Sequence, residues 1–349
     1  MSTLIVPCAG RSTRFPGMSP KWLLRYPDGK IMLEKSIEGL DLKFFDDVII
    51  TIVKEHAEKF SADKILENIF HFKNSTKFHL CVLENFTSCQ AETVSKTLEL
   101  CGVKGNFAVK DSDNYVKISI PITDNRNFVT GINIETFPNE IRRLNSKSFL
   151  TVNEQGIILD IIEKKIKSGY ISIGLYGFAD AEIFCNAYRH LNSTSDRYKE
   201  IYLSHIISYL IGTRQAVYRY LEAEDYEDFG TIQDWNIVLN KKSSVIIFAD
   251  NLLFKCDELK KLTPIDENLK TLKKLFDDGA QIIIMTSLPN EFKNLIQTEL
   301  KNFEVNAHEI ITDCYYSQRR LISPSTPEIP YPSGSAINVD ESKRLAYYL

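Results

Sequence analysis

Five short stretches of this 349-residue sequence carry side chains suited to phosphate and cation chemistry. The first is the loop Pro7-Cys8-Ala9-Gly10-Arg11-Ser12-Thr13-Arg14-Phe15-Pro16, followed by Pro20-Lys21-Trp22-Leu23-Leu24. Ala9 and Gly10 are small enough to let backbone N–H groups approach a phosphate chain. Arg14 and Lys21 add the fixed positive charge that a triphosphate and a departing pyrophosphate both require. The second is Lys110-Asp111-Ser112-Asp113-Asn114. Two carboxylates two residues apart at a strand end can both reach a hard cation, and Mg2+ needs few protein ligands where phosphates supply the rest. A D-x-D turn is also common on solvated surfaces. The third, Tyr226-Glu227-Asp228-Phe229-Gly230-Thr231, offers Asp228, which would serve equally as a helix N-cap near Thr231. The fourth, Thr87-Ser88-Cys89-Gln90-Ala91-Glu92-Thr93, opens a helix whose N-terminus suits an anion or a base, with Thr87 or Ser88 as its cap. The fifth, Glu163-Lys164-Lys165, ends a strand ahead of Gly174 and on its own reads as a surface charge cluster. The sequence shows no strong Ser/His or Cys/His nucleophile pattern, which agrees with chemistry that works by positioning and charge.

Short apolar runs alternate with helix-like stretches and supply the frame. Leu4–Val6, Val48–Val53, Phe78–Leu83 and Phe107–Val109 read as strands, with helices over Ile31–Leu40, Lys54–Phe70 and Ala91–Cys101. This alternation predicts an α/β fold with a mostly parallel sheet. In such folds ligands lie outside the carboxyl ends of the strands, where the first loop sits. Beyond Lys117 come shorter strands, Phe149–Val152, Ile157–Glu163 and Tyr170–Phe178, and then helices over Ala181–Leu191 and Tyr198–Ile211. After the polar segment Leu239–Ser244 a fresh pattern begins: strand Val245–Phe248, a helix near Glu267–Asp277, strand Gln281–Met285, and a helix near Asn290–Asn302. This predicts a domain boundary near residue 242. Ser323–Ser335 reads as an irregular Pro/Ser-rich loop and Glu341–Leu349 as a short helix.

The N-terminal loop resembles the signature of the nucleoside-triphosphate transferases that make sugar nucleotides, commonly AGxGTR followed by PK, with Ser12 where many members have a second glycine. The stretch from Ala9 through Pro20-Lys21-Trp22-Leu23-Leu24 to Asp28-Gly29-Lys30 is similar to a branch from bacterial surface-polysaccharide pathways. The resemblance implies a Rossmann-like, GT-A-type domain with a mixed sheet over residues 1–242. It also implies transfer of NMP from an NTP to a sugar 1-phosphate or similar phosphorylated acceptor, with pyrophosphate released. By it, Arg14, Lys21 and Asp113 form the catalytic set, and Ala9, Gly10, Ser12, Thr13 and Gln90 bind the nucleotide. Asp113 and Asp228, with Asp111 as helper, hold Mg2+. Glu163, Lys164 and Gly174 belong to the acceptor side, where the family's Glu holds a sugar hydroxyl and its Lys a phosphate. Phe229 replaces the Trp of the family's D-W-G-T element. Rival readings stay open: a glycosyltransferase holding a nucleotide-sugar through D-S-D, a phosphocholine-like acceptor caged by aromatic residues, and a non-catalytic nucleotide sensor.

Residues 243–349 resemble a haloacid-dehalogenase-like phosphatase. Val245–Leu253, VIIFADNLL, is similar to that family's first motif, with Asp250 at the acid/base position, Phe248 at the nucleophile and Leu252 in place of Thr. Met285-Thr286-Ser287 ends a strand as the second motif does. A Phe cannot form an aspartyl-phosphate, so a catalytically inactive domain is expected, serving in packing or dimerisation or in binding a phosphorylated effector.

Composition narrows the partners. A formal net charge of −4, from 42 basic and 46 acidic residues, argues against a nucleic-acid binder built on a broad basic face. Seven cysteines without C-x-x-C spacing and six dispersed histidines speak against zinc and for a reducing cytoplasm. No basic n-region suggests a signal peptide, and no run approaches roughly 18 apolar residues, so no membrane association is expected. The sequons at Asn74, Asn85 and Asn192 are then chance matches. The base, the acceptor and any homo-oligomer stay open.

Overall fold

The computed structural model describes residues 3–71, 77–119, 127–136, 143–194, 200–258, 261–322, 334–340 and 343–348. The chain divides into two compact units, residues 1–232 and 233–349. The second takes in a helix that precedes the boundary expected near 242.

In the first unit, β1 (Thr3–Pro7), β2 (Asp47–Val53), β3 (Lys77–Leu83) and β4 (Phe107–Lys110) alternate with α1 (Met32–Glu38), α2 (Lys54–Phe60), α3 (Ala62–His71) and α4 (Gln90–Leu100). Then come β5 (Asn114–Lys117), β6 (Phe128–Asn133), β7 (Ser148–Val152), β8 (Ile157–Glu163), β9 (Tyr170–Phe178), α5 (Ala181–Ser193), α6 (Leu203–Gly212), β10 (Tyr218–Glu222) and β11 (Asp225–Asp228). Nine strands form one sheet in the order β3-β2-β1-β4-β9-β6-β10-β8-β7. The half β3-β2-β1-β4 is parallel; its inner strands β1, β2 and β4 are buried on both faces and largely apolar, whereas the edge strand β3 is partly exposed. From β9 onward the pairing is antiparallel except between β6 and β10. The sheet is therefore mixed, and the parallel majority suggested by the alternation holds only for the first half.

Side chains along β1 alternate between two cores. Ile5 faces α4, α5 and α6 through Val94, Leu98, Phe184, Ile206 and Ile207. Leu4 and Val6 face α1 and α3 through Leu33, Ile37, Leu66 and Phe70. The helix expected over Lys54–Phe70 is two helices. Ser61 closes α2 with a left-handed backbone, φ 50°, and its N–H returns to the His56 carbonyl. The helix expected from Tyr198 starts at Leu203, with residues 195–199 outside the described set.

The second unit contains α7 (Ile232–Lys241) apart from its first residue, then β12 (Ser244–Phe248), β13 (Phe254–Cys256), β14 (Leu262–Pro264), α8 (Asp266–Asp277), β15 (Gln281–Met285), α9 (Lys293–Asn302) and β16 (Glu309–Ile311). Strands β12-β15-β16 form a parallel sheet. Ile247, Ile282 and Ile284 pack against Leu269 and Leu272 of α8 and Ile296 and Leu300 of α9. Residues 290–292 form a 3-10 turn ahead of α9, and the expected C-terminal helix is a 3-10 turn at Leu345–Tyr347. Of the loop read at Ser323–Ser335, residues 323–333 lie outside the described set. No helix among the described residues is long and apolar enough to cross a membrane.

Candidate active site

The site is built around the turn that follows β4. Lys110, the last residue of that strand, is fully buried. Its ammonium donates to the Asp111 carbonyl at 2.7 Å, the Asn114 carbonyl at 2.8 Å and Asn114 Oδ1 at 2.5 Å. All three ammonium protons are spent on fixing the D-S-D-N turn. Burial lowers the Lys110 ammonium to about 8, against the pull of Asp111 and Asp113. Gly174 of β9 faces the turn and accepts the Asp111 N–H at 2.8 Å. Its φ is +89°, and a Cβ there would fall 2.6 Å from Asp111 Oδ2 and closer still to Asn114 Nδ2, so only glycine lets the turn approach. Gln90, the first residue of α4, donates to Asp111 Oδ1 at 2.5 Å. Burial and the neighbouring Asp113 charge push the Asp111 carboxyl up to about 6.

Asp113 faces the N-terminal loop. Lys21 Nζ lies 2.5 Å and Arg14 Nη2 3.7 Å from its Oδ2. Burial works against ionisation of Asp113, but Lys21 and Arg14 outweigh it and hold the carboxyl well below the usual range. Ser12, standing where the resembled loop has glycine, adopts the left-handed backbone, φ 49°, and its Oγ accepts the Lys21 N–H at 3.0 Å. It keeps the glycine-like turn and ties the loop to the lysine that pairs with Asp113. Burial pushes the Cys8 thiol up to about 12, which removes it as a nucleophile.

Asp228 arrives by a ladder that the sequence reading missed. Strands β5 and β11 pair antiparallel with Asn114 opposite Asp228, and the Phe229 N–H bonds the Asp113 carbonyl at 2.9 Å. Asp228 Oδ1 accepts the Gly230 N–H at 2.8 Å, a bond within the turn ahead of the helix that begins at Ile232, rather than the helix N-cap expected near Thr231. Its Oδ2 accepts from the Lys147 ammonium, which also donates to the Tyr226 hydroxyl at 2.8 Å. Burial disfavours the Lys147 ammonium, but Tyr226 and Asp228 overcome that and raise its pKa. A Cβ on Gly230 would lie 2.9 Å from Asp228 Oδ1 and 3.5 Å from both Asp113 Oδ2 and Arg14 Nη1. Two carboxylates and a guanidinium thus surround one small space. No group of three or more His, Cys, Asp or Glu side chains among the described residues converges as a cation cage. Asp113 and Asp228 offer the two hard oxygen donors that suffice for Mg2+ when phosphates complete its shell, whereas Asp111 is turned toward Gln90 and Gly174.

Of the remaining expected residues, Glu163 and Lys164 connect to this centre through Lys147. Ala9 is buried and Gly10 exposed, with open space where a Cβ would point. Thr13 is exposed. Glu163 accepts from Ser148 and, at 2.6 Å, from Ser204. Lys164, left-handed at φ 56°, donates to the Tyr202 hydroxyl at 2.5 Å and lies over that ring at 4.0 Å. Its N–H bonds the Lys147 carbonyl at 3.0 Å, which links the Glu163–Lys164 corner to the Asp228 partner.

No family model matches this chain, and no curated protein sequence matches it. Solved structures do. A nucleoside-diphosphate-sugar pyrophosphorylase from Vibrio cholerae RC9 is 20% identical with a TM-score of 0.56, over 68% of this chain and 99% of that one. The inositol-1-phosphate CTP transferase from T. maritima is 13% identical, TM-score 0.52, over 67% and 91%. CTP:phosphocholine cytidylyltransferase from Streptococcus pneumoniae is 20% identical, TM-score 0.51, over 67% and 96%. The chain shares their fold. In each case the covered share is close to that made up by the 232-residue first unit.

The sequence reading missed Lys110, Lys147, Tyr202 and Tyr226. Lys110 had a signal, a lysine closing the apolar run Phe107-Ala108-Val109. Lys147 had none, since it sits in the polar stretch Asn145-Ser146-Lys147-Ser148.

Proposed function

We propose that the first unit is a nucleotidyltransferase that moves NMP from an NTP to a sugar 1-phosphate or similar phosphorylated acceptor. An acceptor phosphate oxygen forms a bond to the α-phosphorus in line, the α–β bridging bond breaks, and pyrophosphate leaves carrying the negative charge. The observation that carries this reading is the convergence of Asp113, Asp228 and Arg14 on the space at Gly230, with Lys21 on Asp113. Arg14 and Lys21 bind the triphosphate and stabilise the leaving group. Ser12 holds Lys21 in place, and Gly10 leaves its backbone N–H free to approach a phosphate. Gln90 and the start of α4 form the nucleotide side, while Glu163 and Lys164 hold the acceptor. Asp113 and Asp228 would hold Mg2+, which when bound neutralises charge at the α-phosphate, while Asp111, turned toward Gln90 and Gly174, shapes the turn that presents Asp113.

A specific contact favours an anionic acceptor over a quaternary amine. Lys164 covers a face of Tyr202 at 4.0 Å, and Tyr226 is buried with its hydroxyl held by Lys147, so neither ring is open to cage a choline headgroup. The test is pyrophosphate release across a panel of NTPs with sugar 1-phosphates and phosphocholine. Release with at least one sugar 1-phosphate, reduced at least a hundredfold by Asp113→Ala, is expected. No release with any pair would overturn the proposal.

The sequence resemblance supports a place in bacterial surface-polysaccharide precursor synthesis, and seven unpaired cysteines support a reducing, cytoplasmic compartment. For the second unit we propose a haloacid-dehalogenase-like domain without turnover. Phe248 ends β12 where the nucleophile would stand, with the Arg319 guanidinium 3.4 Å from its ring centre. Thr286 and Ser287 turn their hydroxyls to Asp250, and the Ser287 N–H joins them at 2.9 Å, so these donors hold a carboxylate of the chain itself.

A further inference from the structure

Each of the two carboxylates at Gly230 carries a lysine. Lys21 Nζ is 2.5 Å from Asp113 Oδ2, and Lys147 Nζ bonds Asp228 Oδ2. A divalent cation bound between these carboxylates would need the same side chains, and an ammonium on either one repels it. We infer that Lys21 and Lys147 are internal counter-ions that compete with the divalent cation for Asp113 and Asp228, so that the cation enters together with the triphosphate. The inference rests on the nucleotidyl-transfer reading, which makes Asp113 and Asp228 the cation's protein ligands.

The two lysines are built for different exits. Lys21 sits in a short turn on the phosphate-facing loop, with its backbone held by Ser12 and its side chain 19% exposed. A triphosphate offers its ammonium several anionic oxygens, and moving to them frees Asp113 without leaving the lysine unpaired. Lys147 is 13% exposed and already has a second partner in the Tyr226 hydroxyl. It keeps that bond when Asp228 turns away. Its backbone carbonyl accepts the Lys164 N–H, so its movement is felt at the acceptor corner. Lys147 is thus a positioning residue, holding Asp228 until both substrates are seated.

The inference predicts an effect of unusual sign. Damage to a cation site weakens binding, whereas removing a competitor strengthens it. Mn2+ binding to the full-length protein without nucleotide, followed by the electron paramagnetic resonance of free Mn2+, reads this directly. Lys147→Met and Lys21→Met should each bind Mn2+ at least about fivefold more tightly than wild type, and Lys147→Arg, which keeps the charge, should match wild type. Lys273→Met, in the second unit, is the control and should also match wild type. Adding inorganic tripolyphosphate should raise Mn2+ occupancy of wild type more than that of Lys21→Met. Unchanged or weaker Mn2+ binding in both methionine variants, with Asp113→Asn and Asp228→Asn still reducing it, overturns the competition. If the Asp→Asn variants bind Mn2+ as wild type does, the carboxylates are not its ligands and the nucleotidyl-transfer reading itself fails. Should Lys147→Met not fold, Lys21→Met and Lys147→Arg decide the question.

Discussion

Replacing Gly174 by alanine tests whether the D-S-D-N turn is as tightly held as its contacts indicate. The new methyl group would lie 2.6 Å from Asp111 Oδ2 and 2.9 Å from Asp111 Cγ, with Asn114 Nδ2 nearer still. None of these atoms can withdraw freely. Asn114 is held by Lys110 at 2.5 Å, and the Asp111 N–H is bonded to Gly174 itself. The backbone at φ +89° adds its own penalty, on the order of 1–2 kcal/mol for an L-residue in left-handed space. Overpacking a rigid site costs roughly another 1–3 kcal/mol. We expect a loss of about 2–5 kcal/mol, read by urea denaturation of the full chain. That corresponds to a fall of about 5–15 °C in Tm for a unit of this size. Pyrophosphate release should drop further than stability alone explains, because relief of the clash displaces Asp111 and Asp113. Gly10→Ala is the matched control, since nothing lies within 4 Å of its Cβ position. It should leave stability unchanged while raising the KM for the nucleotide. Gly174→Ala with stability within about 0.5 kcal/mol of wild type and full activity would refute the reasoning.

Other outcomes follow from the same contacts. Ser12→Gly should be nearly neutral by thermal melting, because relief of the left-handed serine and loss of the bond to the Lys21 N–H are each worth about 1 kcal/mol. Asp228→Asn strands the largely buried Lys147 ammonium and should cost about 3–5 kcal/mol, with much of the loss recovered in the Asp228→Asn/Lys147→Met double variant by urea unfolding. His56, packed against Trp22, Phe60 and Phe86, is lowered by burial to about 4, so the unfolded chain takes up its proton first as pH falls. Its contribution is therefore full above pH 6.5 and lost between 6.5 and about 4, at most about 3 kcal/mol, and His56→Phe should remove that slope from the pH dependence of unfolding. The full-length protein should show no metal-dependent hydrolysis of p-nitrophenyl phosphate above background, as Phe248 requires.

The central strands were legible because a strand buried on both faces needs a nearly continuous apolar run, and Val48–Val53 is one, broken only by the buried Thr51. The N-terminal loop and the D-S-D-N turn stood out through the resemblance, which singled out Arg14, Lys21 and Asp113, and the structure brings these three side chains together. The break at Ser61 was not, since Lys54–Phe70 keeps helical spacing on either side of it and one backbone angle decides the matter. The ladder between β5 and β11 was hidden for another reason. Four-residue strands carry almost no periodic signal, and their register is set by the closure of the sheet around them. Lys147 is invisible for the same cause, because its role comes from where Asp228 is delivered.

The β5–β11 ladder also bears on how the protein becomes competent. Asp113 and Asp228 lie more than a hundred residues apart, and this short detached pair of strands brings them together. Contacts of that separation form late, after the chain entropy of the intervening segment has been overcome. A ribosome must release residue 230 before the second carboxylate can reach the first. On the proposed reading, a half-made chain carries its parallel strands and N-terminal loop without the second carboxylate, and chains interrupted before β11 should be inert however well their first half folds.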